Sequence, residues 1–183
     1  MWPALLEKAF AKVNGNYERI NGGSQFETLQ FLLNIPSIRY PYSQFNNDTI
    51  WATLLDAEKK GFIVGTGTTS GKDTNKCGLD LPCGHAYSIL SQHVVVAENG
   101  TEYRLVKIKN PHGADGTFNG KWADKNTIWN ELGKDGLTYA QQAGLTVASD
   151  GIHFLEVYEL FKAFVNFDLG QMRKGWVSSY YDK

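Results

Sequence analysis

Ala86-Tyr87-Ser88-Ile89-Leu90-Ser91-Gln92-His93-Val94-Val95-Val96, then Asn99-Gly100, then Tyr103-Arg104-Leu105-Val106-Lys107-Ile108, is the stretch that decides the fold. Both runs are rich in β-branched and aromatic residues, which suit a pleated surface, and Asn-Gly readily turns a chain back on itself. An antiparallel hairpin is therefore expected, with the start of its first strand beside the end of its second. His85 stands just before the first strand and Asn110 just after the second. The hairpin thus delivers an imidazole and a carboxamide to one end of a sheet. A strict two-residue turn at Asn99-Gly100 would set His85 opposite Ala114 and leave Asn110 out of register. A longer loop centred between Ala97 and Glu98 would place the two directly opposite, and a bulge would shift the pairing further. The longer loop is the expectation.

Before the hairpin the spacing of apolar residues is helical. Leu5, Leu6, Ala9, Phe10 and Val13 follow Pro3 on one face and stop at Asn14-Gly15. Ser24 with Glu27 reads as a capping box that opens a second helix, through Phe26, Leu29, Leu32 and Leu33 to Pro36. A third helix is expected from an Asp48 cap through Ile50, Trp51, Leu54 and Leu55 to Gly61. Phe62-Ile63-Val64 reads as a strand and residues 65–82 as a loop. After the hairpin, helical spacing returns at Leu155, Tyr158, Leu160, Phe161 and Phe164, and residues 171–181 read as a last strand. Helices first and antiparallel strands later make an α+β domain, an antiparallel sheet flanked by helices.

The composition narrows the classes of function. A chain of 183 residues with 42% apolar and 13% aromatic residues has enough material for one core and none of the marks of disorder. Its formal net charge is -1 and it has no basic run, which speaks against nucleic acid as a partner. No apolar stretch is long enough to be a transmembrane segment, and no signal peptide is visible, so a cytoplasmic location is expected. Cys77 and Cys83 are too few for a disulfide scaffold and are expected to be free thiols. With His85 and His93 they could be read as a zinc site, but the spacing lacks a paired Cys-x-x-Cys pattern. The Asn-x-Thr sequons at Asn47 and Asn99 mean little without a secretory signal.

Taken singly, His85 reads as a histidine satisfied at a strand end, and Asn110 before Pro111 as a turn initiator. Together they supply a base and the group that orients it, as thiol proteases require, yet no obvious nucleophile accompanies them. Cys83 lies two residues from His85 on the same strand face, so the two side chains would run in parallel instead of meeting.

Gly84-His85-Ala86-Tyr87-Ser88, Lys107-Ile108-Lys109-Asn110-Pro111-His112-Gly113 and Phe118-Asn119-Gly120-Lys121-Trp122 resemble the calpain family of papain-like cysteine proteases. Trp2 to Lys12 resembles the segment that opens the second half of that protease core, Gly22-Gly23 matches a paired glycine, and Asp150-Gly151 with Phe154 to Phe164 resembles the end of the core. The resemblance implies residues 1–183 as the second lobe of a papain-like core, an open barrel or sheet, with residues 170–183 the last strand or the start of a next domain. It implies His85 as general base and acid and Asn110 as its orienting partner, with the catalytic cysteine on a missing upstream lobe. The parent would be a calcium-dependent-type endopeptidase acting on protein substrates, and this piece would be inert alone and need no cofactor of its own. Calcium in the parent is implied through acidic side chains; Asp124 and Asp150 match two such positions, while Ile152 stands where glutamate is usual. His112 stands where the family usually has tryptophan, which leaves a second reading, a binding or scaffolding module that has lost the chemistry. An apolar patch around Trp2, Trp122 and Trp129 is expected to face the missing lobe.

Overall fold

In the computed structural model, which describes residues 2–114 and 116–175, the quoted stretch forms β3 (Ala86–Val96) and β4 (Glu102–Lys109), paired antiparallel. The turn between them is neither of the two weighed from sequence. It is a three-residue loop, Glu98 to Gly100, closed by the Ala97 N–H on the Thr101 carbonyl at 2.8 Å. Val96 therefore pairs with Glu102, and an extra residue at Leu90 shifts the register so that Ser88 pairs with Lys109.

Four further strands complete a sheet: β1 (Ser37–Pro41), β2 (Ile63–Thr68), β5 (Ile152–Glu156) and β6 (Phe164–Gly170). Their order is β1-β6-β2-β3-β4-β5, every neighbour is antiparallel, and the sheet does not close. The helices are α1 (Trp2–Asn14), α2 (Gln25–Leu33), α3 (Asn47–Lys60), α4 (Tyr139–Ala143) and α5 (Val157–Ala163). The α+β class is as expected. None of these helices is long and apolar enough to cross a membrane.

Alternation along β4 and β5 divides the core between two faces, as a period of two dictates. Val106, Ile108 and Leu155 join Ile50, Trp51 and Leu54 of α3 and Leu160 of α5 on one side. Leu105 and Phe154 meet Trp122, Trp129 and Tyr139 on the other. Trp122 and Trp129 are thus core residues at 0% and 3% exposure and form no outward patch, while Trp2 is 73% exposed. Apolar side chains that reach solvent include Leu5 and Val13 of α1 and Phe31 of α2.

Several ends differ from the sequence reading. The Ser24 hydroxyl does not cap α2. Asp168, buried on β6, accepts the Phe26 N–H at 3.1 Å and grips Arg39 at 2.7 and 2.8 Å, while Ser24 Oγ accepts from Arg39 at 2.6 Å. A carboxylate held by a two-pronged guanidinium is a stronger anchor for a helix start than a hydroxyl. The cap of α3 is Asn46, whose side chain accepts the Thr49 N–H at 2.8 Å, and Asp48 pairs with Arg104 instead. Residues 65–68, read as loop, extend β2. Among the described residues the last strand is β6; Gln171 to Gly175, read as the start of a strand, are irregular, and residues 176–181 of that reading lie outside the described residues.

The cysteines are not free. Leu79 and Asp80 take left-handed φ values of 57° and 58°, which doubles the chain back until Cys77 and Cys83 have Cα atoms 5.1 Å apart and form a disulfide. Closing so short a ring stabilises the fold by about 2 kcal/mol on the chain-entropy account. This bond also removes both thiols from any zinc site, and His93 Nε2 is engaged with Ser91 Oγ at 2.8 Å.

Candidate active site

Continuing the β3–β4 register beyond the bulge sets Asn110 beside Tyr87, two residues from His85. The side chains close that gap. His85 Nε2 and Asn110 Oδ1 lie 3.0 Å apart. A carboxamide oxygen can only accept, so Nε2 carries the proton and donates it. The same Oδ1 accepts the His112 N–H at 3.0 Å, which fixes the oxygen end of the amide toward the ring. Asn110 is 4% exposed, and its Nδ2 donates to the Ala114 carbonyl at 3.4 Å.

Each partner is positioned by backbone. The His85 N–H donates to Thr68 Oγ1 at 3.0 Å and its carbonyl accepts the Thr68 N–H at 3.0 Å. Gly84 bonds Thr69 at 2.7 Å in a left-handed conformation, with the Gly71 carbonyl where a β-carbon would stand, so only glycine fits before the histidine. On the other strand, the Asn110 N–H donates to the Gly151 carbonyl at 2.7 Å and the Asn110 carbonyl accepts from Gly113 at 3.1 Å. Thr68, within the stretch read as loop, has no motif of its own, and Gly151, which the resemblance includes, has no role legible from sequence; only their place in the fold gives them this one.

Rings surround the imidazole. Tyr87 stands edge-on at 5.0 Å between centroids, buried, with burial pushing its phenol up to about 12. His112 lies at 4.3 Å, edge-on and exposed, so a second imidazole covers part of the His85–Asn110 contact. His85 Nδ1 has no hydrogen-bond partner among the described residues. The ring borders a cleft of about 280 Å³ whose lining includes Gln25, Ser70, Ala86, Asn166 and the Arg39–Asp168 pair. The arrangement is an imidazole held at Nε2, with Nδ1 open to exchange a proton at the rim of a cleft. Cys83, locked in the disulfide, contributes no nucleophile.

The residues expected from the resemblance to hold calcium do other work. Asp150 Oδ1 accepts the Ile152 N–H at 2.8 Å, the Lys109 ammonium bonds the Asp150 carbonyl, and Asp124 Oδ2 accepts the Ala148 N–H at 3.4 Å. Calcium takes six to eight oxygens. Among the described residues no three His, Cys, Asp or Glu side chains gather as a metal would need. Ile152 offers no side-chain oxygen, and the Lys109 ammonium lies on the Asp150 carbonyl in the same turn.

Comparison with known proteins gives the same direction. The sequence model described as Calpain family cysteine protease matches residues 1–171. The Calpain-type cysteine protease ADL1 of Oryza sativa subsp. japonica is 31% identical over 169 residues, which is 86% of this chain and 8% of that protein. Calpain-9 of Homo sapiens is 32% identical over 167 residues, 88% of this chain and 23% of that protein. Calpain clp-4 of Caenorhabditis elegans is 26% identical over 170 residues, 92% and 23% of the two chains. The chain thus spans less than a quarter of the length of these relatives.

Proposed function

Because the chain belongs to the calpain family of cysteine proteases, we propose that it works as the histidine- and asparagine-bearing lobe of an endopeptidase whose cysteine is supplied by an upstream lobe. The observation that carries this reading is the 3.0 Å contact of His85 Nε2 with Asn110 Oδ1 beside an unengaged Nδ1. With Nε2–H anchored, Nδ1 takes the proton of an approaching thiol, and the imidazolium that forms is stabilised by the carboxamide oxygen. The thiolate adds to a peptide carbonyl, and Nδ1 then returns the proton to the leaving amine. Water next adds to the acyl-enzyme, again giving its proton to Nδ1, which releases the second product and restores the thiol. On this reading the substrates are proteins, and the chain alone hydrolyses nothing.

A fluorogenic peptide assay tests the proposal with the present chain and with a chain extended upstream. Turnover is expected only in the extended form, falling by about 10³-fold in His85→Ala, as loss of a general base dictates. Turnover that survives His85→Ala unchanged would end the proposal. A folded extended chain without turnover would favour the module reading, for which the exposed His112 over the dyad is the supporting observation.

A further inference from the structure

The ring closed by Cys77 and Cys83 lies between the two segments that carry the dyad. On one side, the Pro82 carbonyl accepts from Thr68 Oγ1 at 2.8 Å, and that same hydroxyl receives the His85 N–H. Cys83 itself bonds the Asn75 carbonyl at 3.0 Å, one residue before Gly84 docks on Thr69. On the other side, the Leu79 carbonyl accepts the Asn119 N–H at 3.2 Å, while Asp80 takes Thr117 Oγ1 on its carbonyl and Asn119 Nδ2 on its carboxylate, both at 2.7 Å. Thr117 and Asn119 follow the turn that begins at Asn110. The ring therefore ties the approach to His85 to the exit from Asn110.

We propose that the Cys77–Cys83 bond is a reversible redox site that controls how firmly His85 is held against Asn110. Leu79 and Asp80 are non-glycine residues in the left-handed region, a conformation that persists only where the surroundings impose it. Opening the ring removes the covalent part of that constraint and leaves the hydrogen bonds of Leu79 and Asp80 to hold the turn. Cys83 is 5% exposed and Cys77 half-buried, so the sulfur within reach of an incoming thiolate is that of Cys77.

The reductant is a dithiol. One of its thiolates attacks Cys77 Sγ, the Cys83 sulfur leaves as thiolate, and the second thiol displaces Cys77. Two electrons pass to the protein, two protons come to rest on Cys77 and Cys83, and the reductant becomes a disulfide; a disulfide oxidant reverses each step. In a reducing compartment a bond of this kind is a sensor more often than a scaffold. Resting on the endopeptidase reading, one consequence is that the nucleophile requires a reduced thiol while the dyad requires an oxidised pair, so activity peaks at an intermediate redox poise.

The test uses the 183-residue chain equilibrated with mixtures of reduced and oxidised dithiothreitol, the disulfide being followed by alkylation and mass. Amide exchange at Gly84 and His85 and the His85 ring ¹⁵N shifts are read in parallel, with β4 amides as a control for the fold. Reduction is expected to speed exchange at Gly84 and His85 by about tenfold or more while β4 stays protected, as a local opening does. The double variant Cys77→Ser with Cys83→Ser should match the reduced chain at every poise. Unchanged exchange and ring shifts on reduction would overturn the proposal. Loss of β4 protection together with the site would also overturn it, since the bond would then be a requirement for folding. Peptide turnover enters neither arm, so failure here is separate from failure of the endopeptidase reading.

Discussion

The Gly151 carbonyl accepts the Asn110 N–H at 2.7 Å, so the turn that opens β5 holds the residue that orients His85. Gly151 has φ +78°, and a β-carbon there would stand 2.8 Å from the Asn110 carbonyl oxygen. Gly151→Ala is expected to destabilise the chain by about 1–3 kcal/mol through backbone strain alone. Urea unfolding measures that cost. Faster exchange of the Asn110 amide in the same variant would show the turn moving away from it.

Lys109 clamps the same turn from the strand side through the Asp150 carbonyl. Lys109→Met keeps the length of the stem and removes the ammonium. It is expected to raise the exchange rate at Asn110, whereas Lys109→Arg should restore protection. Millimolar calcium should leave the amide spectrum of the unaltered chain where it was, because the Asp150 and Asp124 oxygens already serve the loop. Specific shifts confined to residues 148–152 on adding calcium would contradict this.

Asn110→Ala removes the acceptor shared by His85 Nε2 and the His112 N–H. In an upstream-extended chain it should lower kcat by about 10²-fold, the scale of loss when a catalytic group is mispositioned, with little change in KM. Steady-state kinetics separates the two. A fall confined to KM would mean that Asn110 serves binding and not the orientation of the ring.

Glu159 is 3% exposed in α5 and accepts the Glu156 N–H at 2.9 Å and the Lys121 N–H at 3.4 Å. Burial raises its pKa, with the two backbone donors opposing. A carboxyl raised on folding binds its proton more tightly in the folded state. Its contribution is therefore greatest below the unfolded value and is lost as pH rises through the folded one. Glu159→Gln should flatten that part of the stability curve, measured by thermal unfolding from mildly acidic to neutral pH. A curve with the same slope in both proteins would remove Glu159 as its source.

The hairpin was legible because its residues alternate and its turn is marked by Asn99-Gly100. The helices α1 and α3 were legible because their apolar faces recur every three or four residues. The fit of His85 to Asn110 was legible only in part, since nothing in the residues around Leu90 announces an extra one, and it is the bulge with the three-residue loop that sets the offset the side chains span. Phe154-Leu155 and Phe164-Val165 abut α5 directly, so the apolar residues of β5 and β6 merge with the helical spacing of α5 and the strand ends have no turn signal to mark them. β1 was hidden by its length and by Pro41. The disulfide was missed because two cysteines without a secretory signal read as thiols, and the left-handed pair at Leu79 and Asp80 that brings them together has no glycine to advertise it.

His85 and Asn110 ride on adjoining strands of one sheet, and their contact is internal to it. Any swing of this sheet against another part of a longer polypeptide carries base and orienter as a single rigid tooth. An on–off mechanism based on such a swing would then have one free coordinate to set, the gap between a sulfur atom and Nδ1.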